Sequence, residues 1–198
     1  MPGLFDFSVF PVLNAERLVL RRLIHADADA MVAIFGAPEV LRFLNLKPVV
    51  SPEKAVELID WFEQGFANQD VIQWGITRRG EDTVIGTCGF YNWQRDNRSV
   101  DVGYHIVPAE WGRGYATEAA RALLAWCFEN LNLHRIQADC TEGNDASERV
   151  MVKCGFTLEG VWRESSFEHG RFVNIRQYGL LRREFSPASG DGPRAAGH

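Results

Sequence analysis

The stretch from residue 98 to residue 141 leaves the chain little choice of fold. "RSVDVGYHIVP" (98–108) alternates Val100, Val102, Tyr104 and Ile106 with Asp101, Gly103, His105 and Val107, the period of a strand with two unlike faces. A turn holding Gly112 and Gly114 follows, and then a helical stretch from Tyr115 to Leu131 that is apolar at 116, 119, 120, 123, 124, 127 and 128. "HRIQADC" is a second strand. Strand, crossover helix and strand make a βαβ unit, whose two strands run parallel.

The strands around this unit read as antiparallel. "VIQWGITRR" and "TVIGTCGFYNW" are separated by "GED", a short hairpin connection, and "FTLEGVWRESSFEHGRFVNIRQYGLLRREF" is a long terminal hairpin turning near "EHG". "ERLVLRRLI" (16–24) supplies a first strand. Helices are signalled at 27–36, ending at Gly36, and at 51–67, where Ser51 can cap and Pro52 takes the first helical position. A short capped helix closed by Gly155 fits 144–155. The sheet is therefore expected to be mixed. With 198 residues, 46% of them hydrophobic, one domain is the default, and the last thirteen residues, rich in small residues and without an apolar period, are expected to be a disordered tail.

Composition removes several function classes. No apolar run approaches the eighteen or so residues of a bilayer span, and the N-terminus lacks a basic segment and a small-residue cleavage site. The expected protein is soluble, unexported and cytoplasmic, with no membrane partner. Cysteines at 88, 127, 140 and 154 show no CxxC spacing, so neither a metal site nor a disulfide framework is signalled. A net charge of −5 argues against a nonspecific nucleic-acid surface and favours a cationic partner.

The glycines carry the chemistry. A helix start leaves its first N–H groups unpaired and partly positive, which suits phosphate, and Gly112 and Gly114 remove side chains that would keep a ligand away. Arg113 adds a charge between them. The alternative is a tight strand-to-helix turn with no ligand. The loop, however, leaves the C-terminal end of a parallel strand, the usual ligand position in such sheets. A nucleoside triphosphate loop is disfavoured because no Gly-Lys pair occurs, and a dinucleotide fingerprint is disfavoured because position 117 is Thr rather than a third small residue.

"WGRGYA" (111–116) resembles the signature Q/R-x-x-G-x-G/A of the GCN5-related N-acetyltransferase superfamily, with Trp111 in the glutamine or arginine slot. "VDVGYHIVPAEWGRGYATEAARALLAWCF", "LHRIQADCTEGNDASERVMVKCGFTLEG" and "HGRFVNIRQYGLL" extend the resemblance to the Rim-type branch, RimJ/RimL-like, which includes N-terminal acetyltransferases of ribosomal proteins. It covers roughly residues 12 to 185, taken as one acetyltransferase domain, with 186–198 left as tail. The resemblance implies an α/β (α+β) fold: a mixed, mostly antiparallel seven-stranded sheet with one parallel splayed strand pair, flanked by about four helices.

It also implies acetyl-CoA as cosubstrate, with no metal. The backbone of His105, Ile106 and Val107 would hold the pantetheine arm, and the amides of Gly112, Arg113, Gly114, Tyr115 and Ala116 the pyrophosphate, with a hydroxyl from Thr117. Asn144 would contact the arm, or act only as a helix cap. Ser147 would protonate the leaving thiolate, or be a small helical residue. Asp101 and His105 share a strand face and are candidates for the base. Packing for His105, and a surface or cation-binding carboxylate for Asp101, remain open. Trp61, Trp74, Phe90, Tyr91 and Trp93 either line the acceptor cleft or pack in the core. Near neutral pH about a quarter of an α-amine but only about a thousandth of a lysine amine is uncharged, so an α-amine asks less of a base. The expected activity is acetyl transfer to a primary amine, a protein N-terminus or a small cation. The alternative is a noncatalytic CoA-binding or sensing module. Exposed strand edges and the habits of relatives point to a homodimer as the oligomer to test for.

Overall fold

Pairing runs through one eight-stranded sheet in this computed structural model, which describes residues 5–186. In chain order the elements are β1 (Leu13–Asn14), β2 (Leu18–Arg22), α1 (Ala28–Phe35), α2 (Pro38–Leu41), α3 (Pro52–Ala67), β3 (Ile72–Arg78), β4 (Val84–Gln94), β5 (Ser99–Ile106), α4 (Tyr115–Asn130), β6 (Arg135–Thr141), α5 (Asp145–Lys153), β7 (Thr157–Glu168) and β8 (Arg171–Leu181). The strand order is β1-β2-β3-β4-β5-β6-β8-β7, and every neighbouring pair is antiparallel except β5 and β6.

The mixed sheet with one parallel pair is as expected. Its eighth strand is the two-residue β1, too short to leave a period in the sequence, and the four-residue α2 is hidden for the same reason. Helix starts follow their caps: the Ser51 hydroxyl accepts from Lys54 N–H at 3.4 Å, and Asn144 Oδ1 accepts from Ser147 N–H at 3.2 Å.

Alternation along β5 puts Val100, Val102 and Ile106 into the larger core, where α4 lays Ala119, Ala120, Leu123, Leu124, Cys127 and Phe128 against them. Each large apolar side chain so buried stabilises by roughly 1.5–3 kcal/mol. Phe5, Phe7 and Phe10 pack against the same core, so the packed body begins before residue 12. The 186–198 tail lies almost wholly outside the described residues. On the opposite face α1 and α3 cover the sheet through a second core built on Met31, Ile34, Phe35 and Ile59 with Leu23 and Val84. Among the described residues no helix covers that face over β6, β8 and β7, and this opening positions the site.

Candidate active site

Parallel pairing of β5 with β6 stops early. Only Ser99, Val100 and Asp101 have partners, in Arg135, Ile136 and Gln137, although β5 runs on to Ile106 and β6 to Thr141. Val107 N–H donates to Ile85 O at 2.9 Å, so antiparallel alternation turns the peptide groups of Val107, His105 and Gly103 toward β4. The same alternation turns those of Val102, Tyr104 and Ile106 toward the gap left by the diverging strands. Of the three backbone positions expected to hold the pantetheine arm, Ile106 alone faces the gap. A run of unpaired strand edge inside a protein calls for a hydrogen-bonding partner.

At one end of that gap sits the glycine turn. Gly112 and Gly114 have φ of 77° and 82°, a left-handed conformation that other residues adopt at a cost, and a Cβ on Gly112 would meet nothing within 4 Å. Gly114 is the N-cap of α4 and offers no side chain to it, and the first helical bond is Glu118 N–H to Gly114 O at 3.1 Å. The amides of Tyr115, Ala116 and Thr117 are therefore left without helical partners and with no cap side chain, whereas α3 and α5 each have one first-turn amide taken by a cap. Arg113 turns away, pairing with Glu110 at 3.3 Å. Arg17, not foreseen from sequence, does more for the turn: its guanidinium donates to Arg113 O at 3.1 Å and to Glu118 at 2.7 Å, and it lies over the Tyr115 ring. It fixes the turn and offsets the one carboxylate in the first turn of α4. Thr117 O accepts from the Cys154 thiol at 3.8 Å.

On the α4 side of the gap, Tyr104 OH lies 3.0 Å from both Ser147 Oγ and Ser147 O. This hydroxyl couple bridges β5 and α5. Burial, only partly offset by the Ser147 hydrogen bond, pushes the Tyr104 phenol well above its ordinary range, so it keeps its proton. Period two had placed Tyr104 among packing residues, and nothing in the sequence marked its hydroxyl.

The open face carries the carboxylates. Asp101 accepts from Asn92 Nδ2 at 2.8 Å and from Gln137 Nε2 at 2.9 Å, so both its oxygens are held by amides. Asn92 reaches it from a bulge in β4, at φ 53°. His105 packs edge-on to Phe35 with ring centroids 5.0 Å apart, and burial pushes it down to about 4. It is neutral at physiological pH, and burial opposes the charge it would gain by accepting a proton. Asp139, on the same face two residues beyond Gln137, has no hydrogen bond or ion pair among the described residues. Desolvation at the cleft floor, helped by the charges of Asp101 and Glu168, raises its carboxyl above the usual range although its side chain reaches solvent. Accepting a proton makes it neutral, which those surroundings favour.

Of the five aromatic residues weighed for the cleft, Trp74 and Phe90 are fully buried, Trp93 packs on the core and Trp61 is exposed on α3. Only Tyr91, directly opposite Asp101, faces the opening. Trp162 on β7, 61% exposed, joins that half of the sheet. His169, at the tip of the β7–β8 hairpin, reaches Leu41 O at 3.1 Å. Cys88, Cys127, Cys140 and Cys154 are buried free thiols, and burial pushes Cys140 up to about 12. Among the described residues no group of three metal-ligating side chains converges. No helix among them is long and apolar enough to cross a membrane.

A splayed parallel pair, with an uncapped glycine-led helix start at the end of its gap, is the arrangement that the resemblance of the central block implied. Residues 17–157 match the family model described as an acetyltransferase (GNAT) domain, and the chain belongs to that family of N-acetyltransferases. It is 34% identical over 174 residues to the uncharacterized N-acetyltransferase YoaA of Bacillus subtilis, covering 88% of this chain and 98% of that one. Among solved structures, a GNAT-family acetyltransferase from Bacillus anthracis superposes with a TM-score of 0.77 at 25% identity, over 87% of this chain and 99% of that one. Mycobacterium smegmatis RimJ in complex with CoA-disulfide gives 0.78 at 22% identity, over 89% of this chain and 88% of that one, a likeness of fold.

Proposed function

We propose that the protein transfers the acetyl group of acetyl-CoA to a primary amine that enters from the open face over β6 and β8. The observation that carries this reading is the gap itself. Edge groups without a partner among the described residues, Val102 O, both groups of Tyr104 and the Ile106 N–H, line it, three unpaired amides stand at its end, and proton-handling groups lie on opposite faces of the sheet beside it.

These residues fit the donor. Tyr115, Ala116 and Thr117 present amides to its pyrophosphate, Gly112 and Gly114 leave the approach open, and the β5 edge matches an amide-bearing arm. Asn144 uses Oδ1 to cap α5, and its Nδ2 donates no hydrogen bond among the described residues, so cap and ligand roles coexist. The bound donor supplies a thioester carbonyl, at which a C–N bond forms as the C–S bond breaks.

Asp139 takes the amine's proton, directly or through one water, on the open face. Asp101 stays a fixed negative charge that draws the ammonium in, beneath Tyr91. The Tyr104–Ser147 couple returns a proton to the thiolate on the other face, so uptake and release of protons are separated by the sheet. His105 packs rather than acts as base. Free buried thiols and the absence of a membrane-length helix among the described residues accord with a cytoplasmic enzyme. The acceptor class is a protein N-terminus or a small cation.

The test is calorimetric binding of CoA, followed by release of CoA thiol from acetyl-CoA with a panel of α-amines, lysine-type amines and polyamines. Binding with amine-dependent turnover supports the reading. Binding without turnover on any amine leaves a CoA-sensing module, and no binding removes the reading altogether.

A further inference from the structure

Trp111 is 49% exposed, too open to be packing filler, yet its indole N–H donates to Ile106 O at 2.6 Å. That carbonyl belongs to the last peptide that β5 turns toward the gap. At this end the loop from Pro108 to Gly114 is otherwise held by turn bonds of its own, Glu110 N–H to Val107 O at 2.9 Å and Trp111 N–H to Pro108 O at 3.1 Å, and by Arg78 on β3, whose guanidinium donates to the Glu110 carboxylate at 2.6 Å. At its far end Arg17 ties Arg113 O toward β2. Arg78 ties the loop to β3, whereas the indole bond ties it to the gap-facing edge of β5 itself, next to the helix-start amides.

We propose that Trp111 is a positioning residue that sets the distance between these two halves of the acetyl-CoA surface. This rests on the acetyl-CoA reading above. The ligand has a fixed length between its amides and its pyrophosphate, so it binds well only if strand edge and cradle are held at matching separation. A ligand touching one half alone does not feel that separation, which is the logic of linked binding sites. Trp111 acts through the backbone and needs no contact with the reacting atoms. Its hydrogen bond holds in ground and transition states alike, so its loss belongs in KM rather than kcat.

The experiment compares Trp111→Phe, which keeps an aromatic ring and loses the N–H, with Trp111→Gln, which restores a donor. Each is assayed with acetyl-CoA and with S-acetylpantetheine, which lacks the pyrophosphate. A neutral hydrogen bond of ordinary net strength corresponds to a change of roughly two- to twelvefold. W111F should therefore raise KM for acetyl-CoA by about three- to tenfold, with kcat within about twofold of the parent, and leave kcat/KM for S-acetylpantetheine unchanged. W111Q should recover most of the KM. An acetyl-CoA KM unchanged in W111F, an equal loss on both donors, or a W111Q as impaired as W111F would each overturn the proposal. A parent protein that binds no CoA instead removes the reading beneath it.

Discussion

Replacing Gly114 by alanine separates backbone strain from ligand approach. At φ 82° and ψ 3° the residue is left-handed, and an L side chain there costs roughly 1–2 kcal/mol. The protein itself has room for the methyl, because the nearest atom to a Cβ would be Arg17 Nη2 at 3.5 Å. For a chain of this size the strain alone should lower Tm by roughly 2–8 °C. Gly170, in the β7–β8 turn, offers the matched control: φ is 81° and nothing lies within 4 Å of its Cβ. Gly170→Ala should show the same thermal loss. The two variants should part on coenzyme binding, because relaxing Gly114 rotates the peptide that carries the Tyr115 N–H. One charge-assisted hydrogen bond is worth about 1.5–3 kcal/mol, so G114A should raise KM for acetyl-CoA by about tenfold or more, against no change in G170A. The assays are thermal melting and steady-state kinetics with acetyl-CoA varied. Equal KM in the two variants would refute the assignment of the pyrophosphate to this helix start.

Asp139→Asn should lower kcat by about a hundredfold and flatten the acid limb of the pH–rate profile, while raising Tm at neutral pH, since a raised carboxyl is one whose ionised form the fold disfavours. A D139N enzyme with the parent's pH profile would reject it as base. His105, held at about 4 against 6.5 in the unfolded chain, binds fewer protons when folded than when unfolded, so stability falls as pH drops from about 6.5 to 4. His105→Gln should remove on the order of 1–3 kcal/mol of that slope, read by denaturant unfolding across this window, and leave the rate profile between pH 6 and 8 unchanged. Tyr104→Phe and Ser147→Ala should each reduce kcat with little change in KM for the amine, and the double variant should lose less than the product of the two losses, because the hydroxyls act as a couple.

The sequence exposed what backbone periods and caps control. The βαβ unit, the terminal hairpin, the caps at Ser51 and Asn144 and the two left-handed glycines all follow from local rules that act within a few residues. The acid–base groups proposed above do not. Asp139 sits on a strand that alternates like any other, and its raised carboxyl arises first from desolvation in the folded cleft, then from Asp101, thirty-eight positions away, and from Glu168 on the terminal hairpin. Tyr104 gains its role from a partner on α5, and Arg17 from Arg113 and Glu118 across the molecule. Asp101 is a candidate base by its strand face, and the hydrogen bonds from Asn92 and Gln137 to both its oxygens are not visible in the sequence. Trp111 looked like a mismatch in a signature, and its meaning lies in a carbonyl five residues back.

The short β5–β6 seam has a consequence for folding as well as for binding. Strands β1 to β5 form one ribbon and β6 to β8 another, and three paired residues join them within the sheet. A donor that fills the rest of that seam would serve as an absent half-strand, completing the sheet in the act of being used. Each catalytic cycle would then stitch and unstitch the two ribbons, and amide hydrogen exchange at Tyr104 and Ile106 should slow on CoA binding more than anywhere else in the sheet.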